Sequence, residues 1–171
     1  MMFASTRKAF VKYLEVGTSD EKGPDANQQL FVSNLFSFIG YTITLILALS
    51  AAIRGNPTLS MSLFAASNVF FFCHHVHRFP KLGNTILIST RLIFISLLIL
   101  MVYLVYSGGV SNTGPLWIYI VPPVAFFFTG LRNGLKSLAA FTIIIATMLL
   151  YPNELLLGTT YTLEFKTRLT L

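Results

Sequence analysis

The sequence predicts an all-α fold: a polytopic transmembrane helix bundle of about five helices, with a sixth apparently missing. Three observations predict it. Of 171 residues, 54% are apolar and only 11% charged, against about 45–50% and about 25% in soluble domains. The apolar residues fall in runs near the ~20 residues whose ~1.5 Å rise matches a hydrocarbon core of ~30 Å. Between Asp25 and Glu154 there is no Asp or Glu at all.

A polar arm, 1–26, opens the chain. In it Phe10, Val11 and Leu14 share one helical side with Lys8 and Lys12 elsewhere, a spacing that suits a short interfacial helix or a disordered tail equally. The polar stretch is too long for the n-region of a signal peptide, so the first apolar run is expected to stay as an anchor.

The bundle itself is expected over 27–151. Its first helix, 27–53, opens on Asp25 and Gln28, spaced as a capping box. Arg54-Gly55-Asn56-Pro57 breaks the chain, with Asn56 suited to an N-cap and Pro57 to the first helical position. A second helix then covers 58–77, and the basic connector HRFPKLGN leads to a third, 85–106. The fourth is expected over 115–130. RNGLK, Arg132 to Lys136, turns the chain into a fifth, 138–151, which Pro152 ends because a proline pushes its predecessor out of the α region. The tail, 152–171, alternates polar and apolar residues. It reads as an outer connector or the start of an incomplete sixth helix, with period two also fitting a half-buried strand.

Loop charges set the orientation. With the N-terminus cytoplasmic, Arg7, Lys8, Lys12, Lys22, Arg78, Lys81, Arg132 and Lys136 lie inside, and Arg54, Lys166 and Arg168 outside, as the positive-inside rule prefers. The net charge of +6 is scattered among short loops without interleaved aromatics, so no nucleic acid is expected as a partner. The lipid bilayer, with its headgroup phosphates, is the anionic neighbour.

The missing carboxylates exclude paired acid-base groups, carboxylate cages for Mg or Ca, and an acidic proton relay. Candidate sites are accordingly few. Arg91 lies about two turns into the third helix, placed to snorkel to phosphates or to hold a ligand or a neighbouring helix. Cys73, His74 and His77 share one helical face, which suits Zn or haem, but imidazoles at a membrane edge serve as polar anchors too, and neither a metal nor a cofactor is expected. Asn34, Ser37, Tyr41, Thr44, Ser67 and Asn68 are placed to bond neighbouring helices. Trp117 and Tyr119 belong to an outer aromatic belt. Pro122 and Pro123 would leave the carbonyls of Ile118 and Tyr119 without partners in a regular helix and kink it, with Asn34, Ser67 or Asn68 as candidate donors.

Gly108-Gly109, Thr113-Gly114-Pro115-Leu116-Trp117, Tyr119, Pro122, the following phenylalanines, Gly130, Arg132 and Gly134-Leu135 resemble a pattern, GG…TGPLWxY…P…F…G…GL. It is similar to that of the multi-helix N-terminal sensor regions of bacterial membrane-bound diguanylate cyclases of the GGDEF type and of some related histidine kinases. The resemblance covers 107–135. It implies a sensory input module of the bacterial inner membrane that shifts its helices on a signal, homodimeric in a full-length receptor, with a small molecule or lipid as ligand. The chain holds no GGDEF or GGEEF signature and no kinase phosphoacceptor box. A detached or truncated input domain without enzymatic activity of its own is therefore the expectation, and Arg91, Trp117, Tyr119, Pro122 and Pro123 are the residues expected to sense or to bend. The alternative is a small transporter or channel subunit, with the paired prolines marking a broken helix near the midplane.

Overall fold

Apolar runs separated by glycine, proline and asparagine give helices in the positions where those breakers stop. The computed structural model describes residues 8, 10–19, 23–79, 84–109, 112–150 and 157–161, and among them every regular element is a helix. Helix α1 spans Pro24–Ile53, α2 Pro57–His75, α3 Thr85–Ser107 and α4 Val121–Leu150. The segments 24–53, 57–78, 85–107 and 114–150 are each long and apolar enough to cross a membrane. The all-α membrane bundle expected from composition is what the chain forms.

Local chemistry explains the ends. Pro24 opens α1, three residues before the expected start, because a proline in the first turn lacks only a donor that would be idle there. Asp25 therefore lies inside the first turn, where its carboxylate faces the positive end of the helix, and does not act as a cap. Asn56 does cap: its Oδ1 accepts the Leu59 N–H at 3.1 Å with Pro57 in the first position. Asn84 does the same for α3, accepting from Leu87 at 3.1 Å. At its other end α2 tightens into a 3-10 turn, Val76–Arg78.

The chain divides into two compact units, residues 1–50 with 60–93 and residues 51–59 with 94–171. In the first, Leu30, Leu63, Phe70, Cys73 and Ile93 are buried. Gly40 backs onto the Phe70 ring, where a Cβ would come within 3.0 Å, so α1 and α2 approach closely as small residues allow. Polar side chains knit this unit. The hydroxyls of Ser33 and Ser89 lie 3.2 Å apart, Ser60 donates to the Ala48 carbonyl at 2.9 Å, and Ser67 donates to that of Tyr41 at 3.4 Å.

The second unit is built on a helical hairpin. Gly130, at φ 74° and ψ 170°, adopts a conformation essentially restricted to glycine, and there α4 folds back on itself. Gly134 then packs against the earlier limb, where a Cβ would lie 3.1 Å from the Ala125 carbonyl oxygen. Two expectations are corrected here. The turn placed at Arg132 to Lys136 is helical, because a single glycine suffices to reverse the chain. The paired prolines also do not interrupt a regular α-helix: Gly114–Ile120 is a 3-10 helix, α4 begins at Val121, and both prolines sit in its first turn.

The 3-10 stretch has a length consequence. Seven residues at ~2.0 Å and nine at ~1.5 Å give the first limb, 114–129, about 27 Å, and the second, 131–150, has about 30 Å. The second limb carries Arg132 and Lys136 in its opening turns, and the two limbs together make up the apolar segment 114–150.

Most of the tail, 151–156 and 162–171, lies outside the described residues. The part that is described returns to α3, where Gly158 N–H donates to the Tyr106 carbonyl at 2.8 Å and the Tyr161 hydroxyl to that of Val105 at 2.6 Å. These are among the last carbonyls of α3, which helix geometry leaves without partners.

Candidate functional site

The two limbs of the hairpin enclose a groove of about 420 Å³. Ile118, Tyr119 and Pro122 form one wall; the other carries Leu138, Phe141, Thr142, Ile145 and Leu149. The spacing of the second wall, at 138, 141, 142, 145 and 149, is the i, i+3, i+4 stripe of one helix face. Phe141, Ile145 and Leu149 are buried. Tyr119 is 62% exposed and with Thr142 brings the hydroxyls to the lining. Among the described residues no charged side chain contributes to it.

The start of α4 opens onto this groove without the donors a helix N-terminus usually presents. Val121 N–H is bonded to the Ile118 carbonyl, and Pro122 and Pro123 have no N–H. That bond also corrects an expectation, since it gives the Ile118 carbonyl a local partner. The side chains proposed for it are engaged within the first unit: Asn34 with Leu14 and Val16, Ser67 with Tyr41, and Asn68 with the Phe64 carbonyl.

Of the residues singled out in the sequence, Tyr119 and Pro122 line the groove. Trp117 is half-buried on the 3-10 helix and Pro123 is exposed, both outside the lining. Arg91 belongs to the first unit, exposed on α3. The groove wall on the second limb was not among the sequence candidates. Its stripe is present in the sequence but is hidden, because Ile143, Ile144 and Met148 make the rest of that helix equally apolar.

The cysteine and histidines separate. Cys73 is buried, His74 stacks on Tyr13 with ring centroids 4.1 Å apart, and His77 lies on the 3-10 turn with Nδ1 3.3 Å from the Thr85 hydroxyl. Cys73 and His74 thus lie on α2 itself and His77 on the 3-10 turn that follows it. Among the described residues no three His, Cys, Asp or Glu gather as metal ligands.

A buried polar patch remains in the first unit. Asn34 Oδ1, Ser37 Oγ and both ring nitrogens of His74 have no hydrogen-bond partner among the described residues, although each of the three side chains is at least 99% buried. Next to them, burial pushes the Tyr13 phenol above its usual pKa, with Arg78 opposing and Tyr41 adding to the rise. In the second unit burial raises Tyr161 to about 12.

No protein-family model, curated protein or solved structure matches this chain.

Proposed function

We propose that the chain is a membrane-embedded sensory module whose ligand is an elongated apolar molecule of the lipid-chain class, held in the hairpin groove. The observation that carries this reading is the groove itself. Its ~420 Å³ falls within the roughly 300–1,000 Å³ of ligand pockets, and an apolar lining with a few placed hydroxyls is what such pockets have. A hairpin joined by one glycine is also a two-limbed element whose packing an occupant would bias. The pattern over 107–135 supports a context for it, the input region of a diguanylate cyclase or sensor kinase. In that context the module is homodimeric, lies in the bacterial inner membrane with its N-terminus cytoplasmic, and leaves catalysis to another domain.

A transporter or channel has less to rest on. The junction at Val121 falls near mid-depth, as broken helices of transporters do, but those present free N–H groups to anionic substrates. Here two prolines and the Val121 to Ile118 bond remove them.

Photo-crosslinking tests the proposal. The purified chain in lipid nanodiscs is exposed to a fatty acid carrying a diazirine. Labelling is expected to concentrate on 118–122 and 138–149, and Ile145→Trp is expected to lower it there at least tenfold without changing the rest. Uniform labelling of all lipid-facing helices would defeat the reading.

A further inference from the structure

Lys8 and residues 10–14 are helical, and this arm helix is tied to the side of α1. Asn34 donates its two amide hydrogens to the carbonyls of Leu14 and Val16, each at 2.8 Å, closing the end of the arm helix as a cap would. Phe10 meets Phe38 edge-on at 5.4 Å, and Tyr13 stacks on His74. The following turn lies against the end of α2: a Cβ on Gly17 would come within 2.9 Å of the His77 Cβ.

The depth of the arm follows from the length of α1. Its 30 residues extend about 45 Å, about 15 Å more than a hydrocarbon core. The surplus belongs to the polar end, PDANQQ, because the other end is apolar through Ile53. At ~1.5 Å per residue, about ten residues make up that surplus, which brings the hydrocarbon boundary close to Asn34. The arm docks at that level.

Its two faces differ accordingly. Tyr13 and Leu14 turn inward, Leu14 being buried. Lys8, Val11, Lys12 and Glu15 are exposed at i, i+3, i+4 and i+7. Phe10 and Val11 stay 43% and 36% exposed, flanked by the two ammonium groups. Arg78, also exposed, lies near enough to act electrostatically on Tyr13. Among the described residues of this outer face Glu15 is the acidic one, against Lys8 and Lys12.

We propose that the N-terminal arm is an interfacial helix that docks on anionic phospholipid headgroups, with Lys8, Lys12 and Arg78 meeting phosphate and Phe10 and Val11 entering the acyl boundary. Charge complementarity chooses the occupant: exposed apolar side chains between cations fit a charged leaflet. The inference does not depend on the bundle having a sensory role.

The full chain is reconstituted in nanodiscs of phosphatidylcholine alone and of phosphatidylcholine with phosphatidylglycerol, and amide hydrogen exchange of residues 10–18 is followed. Each basic group near an anionic surface is worth about fivefold, so exchange is expected to slow at least fivefold in the anionic discs. The effect is expected to disappear in high salt and to weaken at least fivefold in the Lys8→Gln, Lys12→Gln double variant, where Arg78 remains. In phosphatidylcholine that variant keeps wild-type exchange, which shows that the arm is still docked. Equal exchange in both lipids, or a lipid effect undiminished in the double variant, overturns the proposal.

Discussion

The Tyr161 hydroxyl donates to the Val105 carbonyl across 2.6 Å, supplying a donor where α3 runs out of its own. Burial holds this phenol at about 12, above the usual 10. The folded state therefore keeps the proton more tightly than the unfolded chain. Its contribution to stability is complete below about pH 10 and is lost as pH rises through about 12. Tyr161→Phe is expected to cost about 1 kcal/mol at neutral pH. The gap between variant and wild type should close between pH 10 and 12 in thermal unfolding of the detergent-purified protein.

Two glycines are irreplaceable for different reasons, and substitutions tell them apart. A Cβ on Gly114 would run into the Leu104 carbonyl, so Gly114→Ala is expected to cost about 1–3 kcal/mol by overpacking, and Gly114→Val more. At Gly130 a Cβ meets nothing within 4 Å, and the cost, again about 1–3 kcal/mol, comes from the backbone conformation. Gly130→Ala and Gly130→Ser should therefore be equally harmful. Unfolding midpoints of the four variants check both statements.

Pro122 and Pro123 begin a helix, and so their replacement should be mild. Pro122→Ala with Pro123→Ala is expected to change stability by less than about 1 kcal/mol, because prolines in a first turn displace no helical hydrogen bond. A gain of about 3 kcal/mol or more would place them inside a regular helix, where a proline costs that much.

Asn34 and His74 are both buried polar residues, with opposite expectations. Removing the Asn34 amide leaves the Leu14 and Val16 carbonyls without their donor, so Asn34→Ala is expected to cost about 1–3 kcal/mol and to expose the arm to proteolysis. His74 has neither ring nitrogen bonded among the described residues. His74→Phe keeps a ring against Tyr13 and removes the unmet polar atoms, so neutrality or a gain of about 1 kcal/mol is expected.

Which parts were legible in the sequence depends on the range of the forces involved. The cap at Asn56 and Pro57 acts over three residues and was readable. The expected fourth helix did stop at Gly130, where the chain reverses, but the turn was extended over Arg132 to Lys136 because those polar residues look like a loop although they are helical. The groove wall on 138–149 could not be told from the other faces of its helix, since side chains facing lipid and side chains facing protein are equally apolar.

By itself the sequence determined that this chain is a set of apolar helices of membrane-crossing length, because run length and breaker residues act locally and need no partner. Only the tertiary structure decided that Asn34 holds the arm, that Tyr161 closes α3, and that α4 folds at one glycine around a groove. The bonded pairs lie 18 to 56 positions apart. Their donors and acceptors meet only once the helices have packed and left backbone carbonyls without local partners.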